Sequence, residues 1–254
     1  MPLSFHTLSP RQPPTETRKR GFTAVGASMN KPVLVFDIAE TILDLQGLTP
    51  VLERIFDHTT ILRTWFDEVI LYSQALSITG NYADAGRVGV AVLEMLARTR
   101  GRTVSAAHLA MFKQTACSLQ PYPDVKSGLA RLQLNGFDMV TLSNNPRATC
   151  ETQLTYAGIR PFFKHVFSID DVVRRYKPAP ESYLAVAKAL DASPANLWLI
   201  TCHAFDAMGA KSAGLHAAFI ERPGKASFMV GEQPDLMGDD LDELSHLLIN
   251  QFAS

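Results

Sequence analysis

From residue 33 onward, short unbroken apolar runs recur along the chain: Val33-Leu34-Val35-Phe36, Met139-Val140-Thr141-Leu142, His165-Val166-Phe167-Ser168, Leu197-Trp198-Leu199-Ile200 and Ala217-Ala218-Phe219-Ile220. None alternates apolar with charged positions, so each predicts a strand buried on both faces. Between them lie stretches of helical periodicity. Lys126 to Leu134 sets Val125, Leu129 and Leu132 on one face, and Ser182 to Leu190 does the same with Tyr183, Val186 and Leu190. Strands alternating with helices predict a doubly wound parallel α/β sheet.

One stretch breaks the alternation. The pattern predicts consecutive helices over 49–57, 59–78, 81–99 and 105–116, the third carrying Val88, Val92, Leu93 and Leu96 at helical spacing. Gly86 and Gly89 blur where that helix begins. The expected organisation is an α/β core of residues 31–44 and 118–254, with a helical cap inserted at 45–117. Pro121-Tyr122-Pro123-Asp124 reads as the turn leading back into the core. Residues 1–30 differ again. They hold Pro2, Pro10, Pro13 and Pro14, a basic cluster at Arg18-Lys19-Arg20, and no apolar stretch of signal-peptide length. They read as a disordered tail or as the product of a misplaced start, with Met29 just before the first strand.

The composition narrows the class of partner. Of 254 residues, 46% are hydrophobic and 19% charged, which excludes global disorder, and the formal net charge of -1 excludes a basic surface built for nucleic acid or anionic lipid. The apolar runs are strand-length, too short to span a bilayer. Cys117, Cys150 and Cys202 are odd in number and fit no zinc spacing, which predicts reduced thiols in a cytoplasmic protein.

Ligands of parallel α/β sheets bind at the carboxyl ends of the strands, so the polar residues after each run are the candidates for chemistry. Asp37 and Thr41 follow the first run, and Ser143, Asn144 and Asn145 the second. Lys177 comes from the segment near 170–177. Thr201, Cys202, His203 and Asp206 end the run at 197–200. Together they supply a nucleophile, a fixed cation, a partner acid and several hydroxyl or amide donors.

These segments resemble the four motifs of the haloacid dehalogenase superfamily, in order, over residues 33–254. The motifs are Phe36-Asp37-Ile38-Ala39-Glu40-Thr41, Thr141-Leu142-Ser143-Asn144-Asn145, Arg175-Tyr176-Lys177-Pro178 with Tyr183 beyond, and Thr201-Cys202-His203-Ala204-Phe205-Asp206-Ala207-Met208-Gly209-Ala210. Phosphatases of that superfamily carry a second Asp where this chain has Ala39, and paired acids for Mg²⁺ where it has Thr201-Cys202-His203. The sequence is closer to the metal-independent type II 2-haloacid dehalogenases. The resemblance implies hydrolysis of short 2-haloacids to 2-hydroxy acids, with no metal or cofactor, in a homodimer. Asp37 would attack the halogen-bearing carbon, Lys177 keep it ionised and Asp206 hold Lys177. Thr41, Thr201 and His203 would position water or the carboxylates, with His203 able to serve as base. Ser143 and the following helix start would bind the substrate carboxylate. Asn144 and Phe205 would cradle the halide, and Tyr183 would pack beside the lysine.

The resemblance also exposes a substitution. The cap arginine that receives the halide aligns with Phe66, and Arg63 stands one helical turn earlier as a replacement. Three alternatives therefore stay open: a phosphatase, a hydrolase of strained C–N bonds, and a non-catalytic small-molecule binding protein.

Overall fold

The structure, a computed structural model, describes residues 31–56 and 60–253. The expectation for residues 1–30 lies outside them. The five apolar runs form β1 (Val33–Phe36), β2 (Met139–Ser143), β3 (His165–Ser168), β4 (Leu197–Thr201) and β5 (His216–Ile220), and β6 (Leu236–Gly238) joins them at one edge. All pair in parallel in the order β3-β2-β1-β4-β5-β6. Every residue of β2 and β4 is buried, as unbroken apolar strands require. The chain winds outward from β1 through β2 to β3, then returns beside β1 as β4. At that reversal Phe36 pairs with both Thr141 and Ile200. The carboxyl ends of β1, β2 and β4 are therefore level, and they open one crevice.

Four helices follow β1 within residues 45–117: α1 (Thr49–Phe56), α2 (Ile61–Ile78), α3 (Ala85–Thr99) and α4 (Ala106–Cys117). The predicted starts and ends agree within a few residues, except that α3 starts at 85 and not 81. Asp84 caps it, accepting from the Arg87 backbone N–H at 3.0 Å. Gly86 and Gly89 are then inside the helix. Gly89 has a packing reason: the Trp65 indole N–H donates to its carbonyl at 2.9 Å, and a Cβ there would lie 3.2 Å from the Trp65 ring. Trp65 also meets Phe112 edge-on at 5.2 Å, which joins α2, α3 and α4 into one apolar layer.

The sheet is flanked by α5 (Val125–Leu134), α6 (Arg147–Tyr156), the single turn α7 (Ile169–Val172), α8 (Pro180–Ala189), α9 (Ala204–Ser212) and α10 (Leu241–Gln251). Two tyrosines tie the helical layer to the β3–α8 connection: Tyr176 donates to the Ala83 carbonyl at 2.7 Å, and Tyr82 to Asp170 at 2.8 Å. Among the described residues no helix is long and apolar enough to cross a membrane.

Candidate active site

Asp37 is the first residue past β1. Its backbone N–H still donates to Ile200 of β4 at 3.0 Å, which fixes where the carboxylate begins. The chain then turns sharply. Glu40 takes φ 59°, a left-handed conformation uncommon outside glycine, and Ile42 and Leu43 both donate to the Ile38 carbonyl. That turn swings the Thr41 hydroxyl back to donate to Asp37 Oδ2 at 2.7 Å, while Thr41 Oγ1 accepts from the Cys202 N–H at 3.1 Å. With its lone pair engaged by the backbone, the hydroxyl proton is committed to the carboxylate.

Lys177 enters from the loop before α8. Its ammonium lies 2.7 Å from Asp37 Oδ1, 2.8 Å from Asp206 Oδ2 and 3.1 Å from the Leu142 carbonyl. All three donor positions are filled, and Lys177 and Asp206 are 2% and 0% exposed. Asp206 sits in the first turn of α9, where His203 is the N-terminal flanking residue, so Asp206 is not that helix's cap. Its other oxygen accepts from the Tyr183 hydroxyl at 2.5 Å. Gly209, one turn on, lets α9 come this close: a Cβ there would fall 2.6 Å from both Pro178 and the Tyr183 hydroxyl.

The electrostatics follow from this packing. Burial alone would raise the Asp37 carboxyl, but Lys177, His203 and the Thr41 hydroxyl outweigh it and hold it below the ordinary carboxylate range. Burial would lower the Lys177 ammonium, and the two carboxylates raise it instead. Burial and the Asp206 carboxylate push the Tyr183 phenol well above its usual value, so it remains a donor.

His203 is the second basic side chain beside the nucleophile. Its Nε2 is 3.0 Å from the Ala39 carbonyl and 3.7 Å from Asp37 Oδ2. A carbonyl only accepts, so Nε2 carries a proton and donates it. Burial would lower the imidazole; Cys202 and Asp37 overcome that and lift it to about 9. A group protonated at neutral pH, with Nε2 already donating, is poorly placed as a general base. The contact with the Ala39 carbonyl thus argues against Nε2 as the atom that acts as base.

Asp37 opens on a cavity of about 670 Å³ whose walls include Phe66, Ser143, Asn144, Lys177, His203 and Phe205. Thr41, Thr201, Tyr183 and Asp206 lie behind this wall and do not line it. Thr201 Oγ1 accepts from the His203 N–H at 3.1 Å, so it shapes the start of α9 and does not face the cavity as a water-positioning hydroxyl would. Asn144 Oδ1 accepts from the Lys177 N–H at 3.1 Å, and Ser143 Oγ from the Asn145 N–H at 3.1 Å. No side chain caps α6, which leaves its first N–H groups available to a carboxylate. Arg63 does not replace the missing arginine. It is exposed, pairs with Asp67 at 2.9 Å, and borders an outer cavity that shares Phe66, Ile70, His203 and Phe205 with the main one, without lining the main one itself.

Two cations of the site are absent from the sequence-derived candidates. Arg222 donates to the Thr41 carbonyl at 3.0 and 2.9 Å, pairs with Asp124 at 2.8 Å, and so pins the turn after the nucleophile. Lys225 pairs with Glu40 and lies 5.4 Å over the Phe66 ring. Their signal was positional: they follow β5 as Asp37 follows β1.

The donor set does not suit Mg²⁺, which wants several oxygen ligands. The space between Asp37 and Asp206 is filled by the Lys177 ammonium, and Ala39 offers only a carbonyl that His203 already engages.

A family model for haloacid dehalogenase-like hydrolases matches residues 32–214. The chain belongs to that family. An (S)-2-haloacid dehalogenase of Xanthobacter autotrophicus is 30% identical over 74% of this chain and 74% of its own length. The (S)-2-haloacid dehalogenase 2 of Pseudomonas sp. (strain CBS-3) is 27% identical over 87% of this chain and 96% of its own. A solved structure of the L-2-haloacid dehalogenase from Xanthobacter autotrophicus, with chloropropionic acid covalently bound, superposes with a TM-score of 0.79 at 26% identity, covering 86% of this chain and 98% of that one.

Proposed function

We propose that the chain hydrolyses 2-haloacids to 2-hydroxy acids through an ester on Asp37, without a metal. The observation that carries this reading is the Lys177 ammonium held between Asp37 and Asp206 at 2.7 and 2.8 Å, with Asp37 facing the cavity. It keeps a weak nucleophile ionised and aligned, and it fills the place a divalent cation would need. In the first step an Asp37 oxygen bonds to C2 of the acid, and the carbon–halogen bond breaks with its electrons on the halide. In the second, water adds to the Asp37 carbonyl carbon. The acyl C–O bond then breaks, releasing the 2-hydroxy acid, a proton and the free carboxylate. The Asp37 oxygen that stays as the carbonyl keeps its own donor, Lys177 on Oδ1 or Thr41 on Oδ2, when it becomes the oxyanion that forms between. Ser143 and the start of α6 take the substrate carboxylate, with Asn144 on the halide side.

In this reading the protonated His203 supplies, beside Phe66 and Phe205, the positive charge that faces the departing halide. The helices of 45–117 act as a cap that keeps water out during the first step. The unpaired cysteines Cys117, Cys150 and Cys202 support a reducing cytoplasmic setting. One observation favours a second reading: a proton on His203 near Asp37 also suits an amine leaving group, as in opening a strained C–N ring carrying a carboxylate.

The test is halide release from (S)- and (R)-2-chloropropionate and chloroacetate, in EDTA and separately in Mg²⁺, by the wild type and Asp37→Asn. Release in EDTA that disappears in Asp37→Asn supports the reading. Release only with Mg²⁺, or phosphate-ester cleavage in its place, contradicts it.

A further inference from the structure

The cavity is far larger than a three-carbon acid needs. Its volume of about 670 Å³ lies in the range that holds drug-sized ligands. Residues from Ala85 to Glu94 of α3 line it, so it runs about 13 Å along that helix at 1.5 Å per residue. Away from Asp37 its walls are mostly apolar, with Leu48, Val69, Ile70, Val90 and Phe112, and they also include Ser73, Arg87, Glu94, Lys113 and Thr149. One of the polar side chains is buried with an unmet acceptor. Gln153 is 4% exposed and lines the cavity; its Nε2 donates to the Ala116 carbonyl at 2.8 Å, and its Oε1 is buried without a hydrogen-bond partner. The Ala116 carbonyl fixes which way the amide points, since the reverse orientation would set two oxygens against each other. A buried acceptor left unmade costs about 1–3 kcal/mol, a cost that a ligand's donor removes. Gln153 stands about 9 Å along α6 from Arg147, where the helix begins beside the carboxylate-binding residues.

We infer that the substrate is a longer 2-substituted acid, whose chain lies between α2, α3 and α4 and whose hydroxyl or amide N–H donates to Gln153 Oε1. The inference rests on Asp37 and Ser143 marking the acid end, as in the reading above, and it extends the class beyond short 2-haloacids. The recognition is chemical: a carboxylate at one end, an apolar spacer, and a neutral donor about 9 Å away.

The experiment has a turnover arm and a binding arm. Halide release is compared for 2-bromopropionate, 2-bromohexanoate and 2-bromo-6-acetamidohexanoate. Titration calorimetry measures the corresponding 2-hydroxy acids, with the wild type, Gln153→Leu and Val90→Phe. The inference expects kcat/KM to rise about tenfold or more from the three-carbon to the acetamido acid. Gln153→Leu should cut the preference for acetamido over plain hexanoate about fivefold, and Val90→Phe should lower the preference for both six-carbon acids over the three-carbon one. If no acid releases halide, the dehalogenase reading fails alone. Tighter binding of the acetamido hydroxy acid, weakened by Gln153→Leu, would still uphold the inference. Equal handling of all three acids in both arms, or a preference that Gln153→Leu leaves in place, would overturn it.

Discussion

Phe66 stacks on His203, with ring centroids 5.5 Å apart and planes 25° from parallel, and Phe205 stacks on the same imidazole at 5.2 Å. The phenylalanine that stands where the family resemblance places an arginine is thus engaged with His203, whose Nε2 lies 3.7 Å from Asp37 Oδ2. An imidazolium against aromatic faces gains about 0.5–2 kcal/mol from ring electrostatics. In the proposed reading, His203 at the start of α9 supplies the charge that the family resemblance places on α2.

This arrangement predicts a pH profile. Asp37 is held below the ordinary carboxylate range and His203 is lifted to about 9. The groups around His203 are Asp37, Glu40, Cys202 and Lys225. At neutral pH both reacting charges are present, so kcat should be flat there and fall as pH rises through about 9. His203→Gln should lower the plateau about 10²–10³-fold, as for loss of a transition-state donor, and abolish the alkaline fall. A kcat profile from pH 6 to 10.5 at saturating substrate checks both. The linkage has the same sign for stability: a raised imidazole contributes fully below its unfolded value near 6.5 and loses that contribution through about 9.

Lys177→Met should destabilise the fold by about 3–5 kcal/mol, because it strands two buried carboxylates. Adding Asp37→Asn and Asp206→Asn removes the stranded charges and should restore most of that loss. Urea unfolding of the single and triple variants measures it.

Gly209→Ala tests the close approach of α9. The added methyl meets Pro178 and the Tyr183 hydroxyl at 2.6 Å, so Tyr183, Asp206 and Lys177 must shift together. The expected cost is about 1–3 kcal/mol of stability, with a fall in kcat larger than any change in KM. Thermal unfolding and steady-state kinetics report the two effects.

Much of this site was legible because burial on both faces leaves a plain mark. The runs at 33–36, 139–142, 165–168, 197–200 and 217–220 are all strands, and the residues after four of them converge on Asp37. Strand β6 left no such mark: it is three residues long at the sheet edge, with Met237 39% exposed. The chemistry of His203 was not legible either. Residue type and position admit a base, and only the contact of Nε2 with the Ala39 carbonyl shows where the proton sits. The placing of Arg63 was not legible for a related reason. Helical spacing places it one turn from Phe66, but an i,i+4 partner at Asp67 holds it at the surface.

The central claim is that Asp37 is esterified and that water then attacks its carbonyl carbon. The most direct measurement is a single turnover with enzyme in excess over 2-chloropropionate in H₂¹⁸O, followed by mass analysis of the peptide that carries Asp37. The account predicts one ¹⁸O on Asp37 and an unlabelled hydroxyl in the first-turnover lactate. Label in the lactate hydroxyl with none on Asp37 would mean that water attacks the substrate directly, and would contradict it.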